Sequence, residues 1–487
     1  MRQPRFCLCI LCAVLASIAA ALILLGSPAT ARAQNKPVSF IEDVAPVLKE
    51  NCFACHDAKK RSGKYDMTTF ETLLAGGASA EAIVPGKPDE SELYYLISAE
   101  DEERRMPPKG KGDPLPKEKV ELIKRWIEQG AKPDAGIDPK GDLVAALRAR
   151  WKPPAPPDSY RFPTIVNALA FTPDGERLVA GGHHELTVWD LATGKLRKRV
   201  HTRSERAYAM AFLPDGKLAV AGGRPGQEGD VRVYDLGAPG KEENEVTVLD
   251  GVGDPKVLVK QLAQADDSVL CLALSKDGKK LAAGGCDRVV RVWDVSGGAA
   301  AAKLKGEIEN HADWVLGVAF SDDGKLLFTA GRDKTAKVWD LAAKESVLTF
   351  PGHQEPVFDV AVKADGKVGY SVGADKQLRF WNASGDGKQV RNVGGHGGEI
   401  YKLLRHPKEK LLITCSADKT VRVWNEDNGR AVRTLSGLND YVYALAVSPD
   451  GTRVAAGAYD GEVKVWALSD GKLVKEFNAS PGYVARK

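Results

Sequence analysis

The sequence is poor in the residues that build disulfide scaffolds and metal clusters. Of 487 residues only eight are cysteine and eight histidine. Cys7, Cys9 and Cys12 sit at the start, which leaves Cys52, Cys55, Cys271, Cys286 and Cys415 scattered over the rest. Five such cysteines in a long chain make no disulfide framework, so apolar burial must hold the fold. An excess of one charge is also lacking. Beyond residue 33 there are 66 basic against 65 acidic residues, which implies no polyanionic partner and excludes nucleic acid as the expected ligand. A composition of 43% apolar, 28% charged and 7% aromatic residues excludes collagen-like, wholly disordered and polytopic membrane classes. At this length two or more domains are expected.

Long apolar runs are limited to one, Phe6 to Gly26, with Arg2 and Arg5 before it and Ala31-Arg32-Ala33 after it. This is the pattern of a secretory signal over residues 1–33, which makes the remainder exported and periplasmic. Left uncleaved, residues 6–26 would instead anchor the chain in a membrane.

Residues 34–135 show no sustained period-two alternation and read as helical. "SFIE" (Ser39 to Glu42) is a capping box before apolar Val44, Val47 and Leu48, with Pro46 expected to kink or delay the helix. "TTFETLLAGG" offers a threonine cap and a Gly76-Gly77 stop, and "KVELIKRWIEQGAKP" places Val120, Ile123, Ile127 and Ala131 on one face. Residues 136–163 change character. "DLVAALRAR" is a short helix candidate, and "WKPPAPPDSYRFP" carries five prolines in thirteen residues and reads as a stiff connector.

Residues 164–487 repeat. Closings at Asp190, Asp235, Asp294, Asp340, Asn382, Asn425 and Ala467 follow aromatics spaced by 42 to 59 residues, and six of seven repeats carry an Asp-Gly hairpin signal upstream. Seven short-stranded repeats at this period predict an all-β propeller, each sheet buried against its neighbours. How such a ring would close is left open. In three repeats the offsets are constant: His311, Thr329, Asp333, Trp339; His353, Ser371, Asp375, Trp381; His396, Thr414, Asp418, Trp424. On these residues the region resembles the WD40 family. The resemblance implies that each foursome forms a buried hydrogen-bond chain, so these histidines are expected to be structural. The 59-residue gap implies an insertion around residues 237–263.

Between Gln34 and Gly182 the only cysteines and histidines are those of "CFACH": Cys52, Cys55 and His56. Structural zinc would be one ligand short, and a thioredoxin-like pair would need a preceding strand. C-x-x-C-H is the haem c attachment pattern: two thiols at this spacing each add to one vinyl group, and the adjacent imidazole becomes an iron ligand. One covalently attached haem c is therefore expected, bound by Cys52, Cys55, His56 and Met106, with His56 and Met106 on the metal. Met106, in the donor-poor "RMPPKG" strap, is favoured as the second axial ligand over core-like Met67 or an open position.

"VSFIEDVAPVLKENCFACHD", "AIVPGKPDESELYYLI", "RMPPKG" and "LIKRWIEQGA" together resemble the planctomycete-type cytochrome c domain. That resemblance implies a haem-binding, electron-transfer domain, often fused to other modules. The expected fold is thus a small all-α class I-like cytochrome c domain followed by an all-β seven-bladed WD40 propeller. The expected function is one-electron transfer with the propeller as a docking module, not catalysis. Partners would be a redox protein and a protein bound by the propeller. The alternative is a periplasmic redox enzyme with a second site in the propeller channel, built around unassigned His183, His184, His201 and His406. Arg288, Lys334, Lys376 and Lys419 read either as a basic rim or as solvated turns. Cys271 and Cys286 flank one hairpin about two residues out of register, and are expected to be free thiols.

Overall fold

A computed structural model describes residues 37–78 and 81–484; the signal and anchor readings of the N-terminus fall outside the described residues. The chain divides into two units, Met1–Trp151 and Lys152–Lys487.

The first unit is helical because its apolar residues recur at helical spacing around one small core. Ser39 Oγ accepts the Glu42 N–H, and the Asp43 carboxylate, not that of Glu42, accepts the Ser39 N–H. The capping box expected of "SFIE" is thus closed one residue later. Phe40–Val44 forms a wide π-helical turn, and α1 (Ala45–Asn51) begins only at Pro46's own turn, since proline has no N–H to give the preceding turn. Thr69 caps α2 (Phe70–Ala75), which ends at Gly76 with φ +82°. α3 (Glu92–Ser98) and α4 (Lys117–Glu128) follow. Buried Ile123 and Ile127 face the core as the spacing predicts, and Trp126 joins them, stacking on Phe40 with ring centroids 5.2 Å apart.

α5 (Leu143–Arg150) is capped by Asp142, and its fully buried Leu143 packs into the same core. Residues 136–151, expected in the connector, therefore belong to the helical unit. The proline-rich remainder is no free spacer either. The Arg199 guanidinium donates to the carbonyls of Pro157 and Asp158, His201 Nε2 lies 3.0 Å from the Pro154 carbonyl oxygen, and Tyr160 donates to Glu185. These contacts lay the strip along the first sheet of the second unit.

That unit is all-β. Its described residues form six sheets where seven repeats were expected: one of nine strands and five of four. The first sheet holds two repeat closings because the strand Leu196–Phe212 runs unbroken from the outer edge of one repeat to the inner position of the next. The insertion supplies the hairpin Lys241–Glu243 and Val246–Asp250, which adds in parallel to residues 198–201 and so covers an otherwise exposed edge. Each apolar cluster joins consecutive repeats, and one joins Val166, Leu169 and Phe171 to Ala444, Ala455 and Val463 of the last sheet. The ring closes there. Among the described residues no N-terminal strand enters the last sheet; the Thr164 N–H donates to Ser480 Oγ and the Val166 N–H to the Ala458 carbonyl.

The three histidine foursomes are built as expected. Trp339 Nε1 donates to Thr329 Oγ at 2.9 Å, His311 Nε2 lies 2.7 Å from that oxygen, and His311 Nδ1 lies 2.9 Å from Asp333. Indole can only donate, so the hydroxyl proton goes to Nε2 and the imidazole's own proton to the carboxylate. The chains ending at Asp375 and Asp418 repeat this geometry. Burial opposes ionisation of these acids, but hydrogen bonds from His311 and Thr335 hold Asp333 well below the usual carboxylate range, and similar donors lower Asp375 and Asp418. A depressed native pKa stabilises the fold fully above the unfolded value of about 3.9 and is lost as pH falls from there through the native pKa. Circular dichroism of urea unfolding should therefore show ring stability falling steeply below about pH 4. Asp333→Asn should flatten that slope and cost about 1–3 kcal/mol at pH 7.

In the repeat closed by Tyr234 the pair is replaced. Strand register places Arg203 where His311 stands and Glu228 where Asp333 stands. Arg203 donates twice to Glu228, both contacts at 3.1 Å and both side chains buried. The threonine position is Val220 and the tryptophan position Tyr234, so the chain of hydroxyl and indole is absent there. An ion pair performs the same strand-pinning.

Candidate functional site

The C-x-x-C-H motif begins where α1 stops. Cys52 is the C-cap residue, donating its N–H to the Leu48 carbonyl, and its own carbonyl accepts the N–H groups of Cys55 and His56 at 3.1 and 3.0 Å. One tight turn therefore gathers all three residues. The loop after it folds back: the Asp57 carboxylate accepts the Lys59 and Lys60 N–H groups, the Ser62 N–H donates to the Cys55 carbonyl, and the Met67 N–H donates to the His56 carbonyl.

Burial differs among the three. Cys55 is exposed, Cys52 is half-buried, and both are free thiols. Burial, aided by neighbouring Cys55, pushes the Cys52 thiol up to about 12. With Cys52, Cys55 and His56 the only cysteines and histidines between Gln34 and Gly182, structural zinc is one ligand short. Among the described residues no group of three or more His, Cys, Asp or Glu side chains is placed to hold a metal ion. The His56 ring packs 5.5 Å from Tyr65, and its Nδ1 is buried with no hydrogen-bond partner. A buried ring nitrogen left unpaired requires an explanation, and a motif that supplies two thiols and an untied imidazole in one turn fits a covalently held haem.

Met106 donates its N–H to the Leu96 carbonyl at the end of α3, and its side chain is half-buried against the same apolar core as Cys52. The strap after it is not simply extended: the Met106–Pro107 peptide bond is cis, and Arg105 donates to the Pro107 carbonyl. Met67 is 2% exposed within that core, as its sequence context suggested. Tyr65 gave no sequence signal, because only the turn at residues 57–64 brings it to the imidazole; its hydroxyl is held by the Leu73 carbonyl.

The four unassigned histidines do not form one site. His406 is a turn clamp, accepting the Lys408 and Glu409 N–H groups at Nδ1 and donating from Nε2 to the Gly451 carbonyl of the next repeat. His201 meets Pro154. His183 and His184 touch each other edge to face at 4.7 Å, and burial lowers His184 to about 4. Arg288, Lys334, Lys376 and Lys419 are exposed residues in tight turns, each with φ between +63° and +68°. Cys271 pairs with Gly284, not Cys286, and both thiols are free.

The fold and the site define a two-part protein: a small helical domain with a C-x-x-C-H turn, and a propeller of WD-type repeats. Residues 52–110 match the family described as Planctomycete cytochrome C, and residues 159–190, 256–294, 302–340, 344–382, 387–425 and 429–467 match the WD domain, G-beta repeat. The chain thus joins a planctomycete cytochrome c domain to a WD40-repeat propeller. It is also similar to Protein groucho of Drosophila melanogaster, 26% identical over 144 residues, covering 29% of this chain and 17% of that protein. The transcription factor unc-37 of Caenorhabditis elegans is 28% identical over 165 residues, covering 34% of this chain and 24% of the relative. The similarity spans a quarter or less of either relative.

Proposed function

We propose that the protein is an exported, periplasmic electron carrier with a single covalent haem c, and that the propeller docks it to a protein partner. The turn that presents Cys52, Cys55 and His56 together carries the reading: two sulfurs to attach the group and an imidazole with no protein hydrogen bond to compete for it. When bound, haem c supplies reversible one-electron chemistry. Cys52 and Cys55 would hold it covalently, and His56 and Met106 would supply its iron ligands. An iron ligated by two residues of this chain would suit electron transfer better than substrate binding. The His56 ring lies edge to face on Tyr65 at 5.5 Å, and the backbone of His56 is bonded through both its N–H and its carbonyl. For the propeller, the WD-type repeats support a docking role, since all three histidines of its foursomes are consumed in structure.

The test is optical. In ferric protein from a host that matures c-type cytochromes, Met106→Ala should remove the methionine-to-iron absorption band and lower the reduction potential. Met67→Leu should leave both unchanged. A spectrum indifferent to Met106→Ala rejects that ligand.

A further inference from the structure

The inner strand of each of six repeats carries a bulge, and the unpaired residue is bulky: Tyr208, Leu270, Leu316, Phe358, Tyr401 and Tyr443. A bulge re-aims its side chain. Because inner strands of successive sheets are neighbours, the re-aimed rings meet: Phe358 and Tyr401 lie 5.5 Å apart and Tyr401 and Tyr443 4.5 Å; Tyr459, in the turn after the second strand of the last sheet, lies 6.3 Å from Tyr443. An aromatic run of four rings thus crosses the last three sheets at one mouth of the ring.

Two repeats can be compared position by position. In the first, Trp314 precedes the inner strand, donates its N–H to the Asp313 carboxylate, and accepts the Arg332 N–H at its carbonyl. The Arg332 guanidinium lies 4.5 Å above the indole and within 3.7 Å of Asp313. In the last, Tyr441 and Asp440 hold the places of Trp314 and Asp313, with the same side-chain bond, and Tyr459 donates its N–H to the Tyr441 carbonyl where Arg332 did. The ring and the carboxylate are retained, but the arginine has become a tyrosine. Tyr441 and Tyr459 are 45% and 49% exposed, and among the described residues no cation–ring contact or ion pair falls on Asp440, Tyr441 or Tyr459. A second carboxylate lies on the preceding repeat, beside the aromatic run: Glu399 accepts the Tyr401 hydroxyl at 3.0 Å.

We propose that this mouth of the ring receives the guanidinium of an arginine side chain from a partner protein, between the faces of Tyr401, Tyr441, Tyr443 and Tyr459 and the carboxylates of Glu399 and Asp440. The repeat at Trp314 shows the arrangement satisfied from within; the last repeat keeps the acceptors and leaves the cation to a partner. Aromatic faces attract a guanidinium, and carboxylates add directional acceptors that an apolar ligand could not use. The inference rests on the propeller being a docking module and is independent of the haem.

The experiment titrates haem-loaded full-length protein by calorimetry with a capped tripeptide Gly-Arg-Gly and with its citrulline counterpart, which has the same shape and no charge. The arginine peptide is expected to bind saturably, with citrulline at least about tenfold weaker. Glu399→Gln should weaken binding several-fold. Tyr459→Phe should retain it, and Tyr459→Arg, which installs the internal cation of the Trp314 repeat, should abolish it. Equal binding of both peptides, no binding at tens of millimolar, or unchanged binding in Tyr459→Arg would overturn the proposal. An unaltered haem spectrum in these variants separates its failure from failure of the electron-transfer reading.

Discussion

Replacing Cys52 and Cys55 together by alanine is expected to abolish covalent haem attachment completely. Each thioether link needs one of these two sulfurs, and neither Cys271 nor Cys415 can substitute, since both are buried between sheets of the ring. His56 alone would hold haem only reversibly. Each single variant should retain one link, and the double variant should emerge colourless, with the mass of the polypeptide alone after acid extraction. The ring should unfold as before, because its apolar clusters contain no residue of the helical unit. Covalent haem persisting in the double variant would remove the basis of the proposed function.

Trp381→Ala should be the most destabilising single change in the ring, at about 3–5 kcal/mol. The indole is fully buried, stacks on Phe350 at 5.1 Å with rings 8° from parallel, and donates to Ser371. Its removal leaves a cavity and takes from the Ser371 hydroxyl one of the bonds of the His353 chain. The same indole explains Gly369, its cross-strand partner: a Cβ there would lie 2.4 Å from the ring. Where the other foursomes pair Trp339 with Leu327 and Trp424 with Leu412, this repeat has room only for glycine. Gly369→Ala should therefore destabilise the wild type yet be nearly neutral beside Trp381→Ala, a coupling that a double-mutant cycle in urea would measure. Additive effects would show that the indole is not what confines residue 369.

The two motifs with fixed spacing were fully legible in the sequence. C-x-x-C-H needs only five consecutive positions, and the foursomes recur because strand lengths and turn lengths recur with them. Arg203 and Glu228 were not legible: the turn at residues 223–228 is longer, so their separation of 25 breaks the regular offset of 22. Only register restores the equivalence. The proline-rich strip was misassigned for a different reason. Composition reports stiffness, but partners that fix residues 154–160, Glu185, Arg199 and His201, lie on two strands 25 to 47 residues away. α5 was seen as a helix and assigned to the connector, since nothing local says that Leu143 fills the helical core. The aromatic run left a trace in the bulged positions, yet only sheet adjacency turns separate Tyr and Phe residues into neighbours.

Closure without strand exchange has a kinetic meaning. Thr164 and Ser480, 316 residues apart, meet across the seam, which puts it among the contacts of greatest sequence separation in the domain and among the last to form. Until it does, the nascent chain is an open arc with two sticky flanks, Val166 and Leu169 at one end and Ala455 and Val463 at the other. Each flank matches the opposite end of any other copy, so crowded or hurried synthesis favours chains of arcs over single rings.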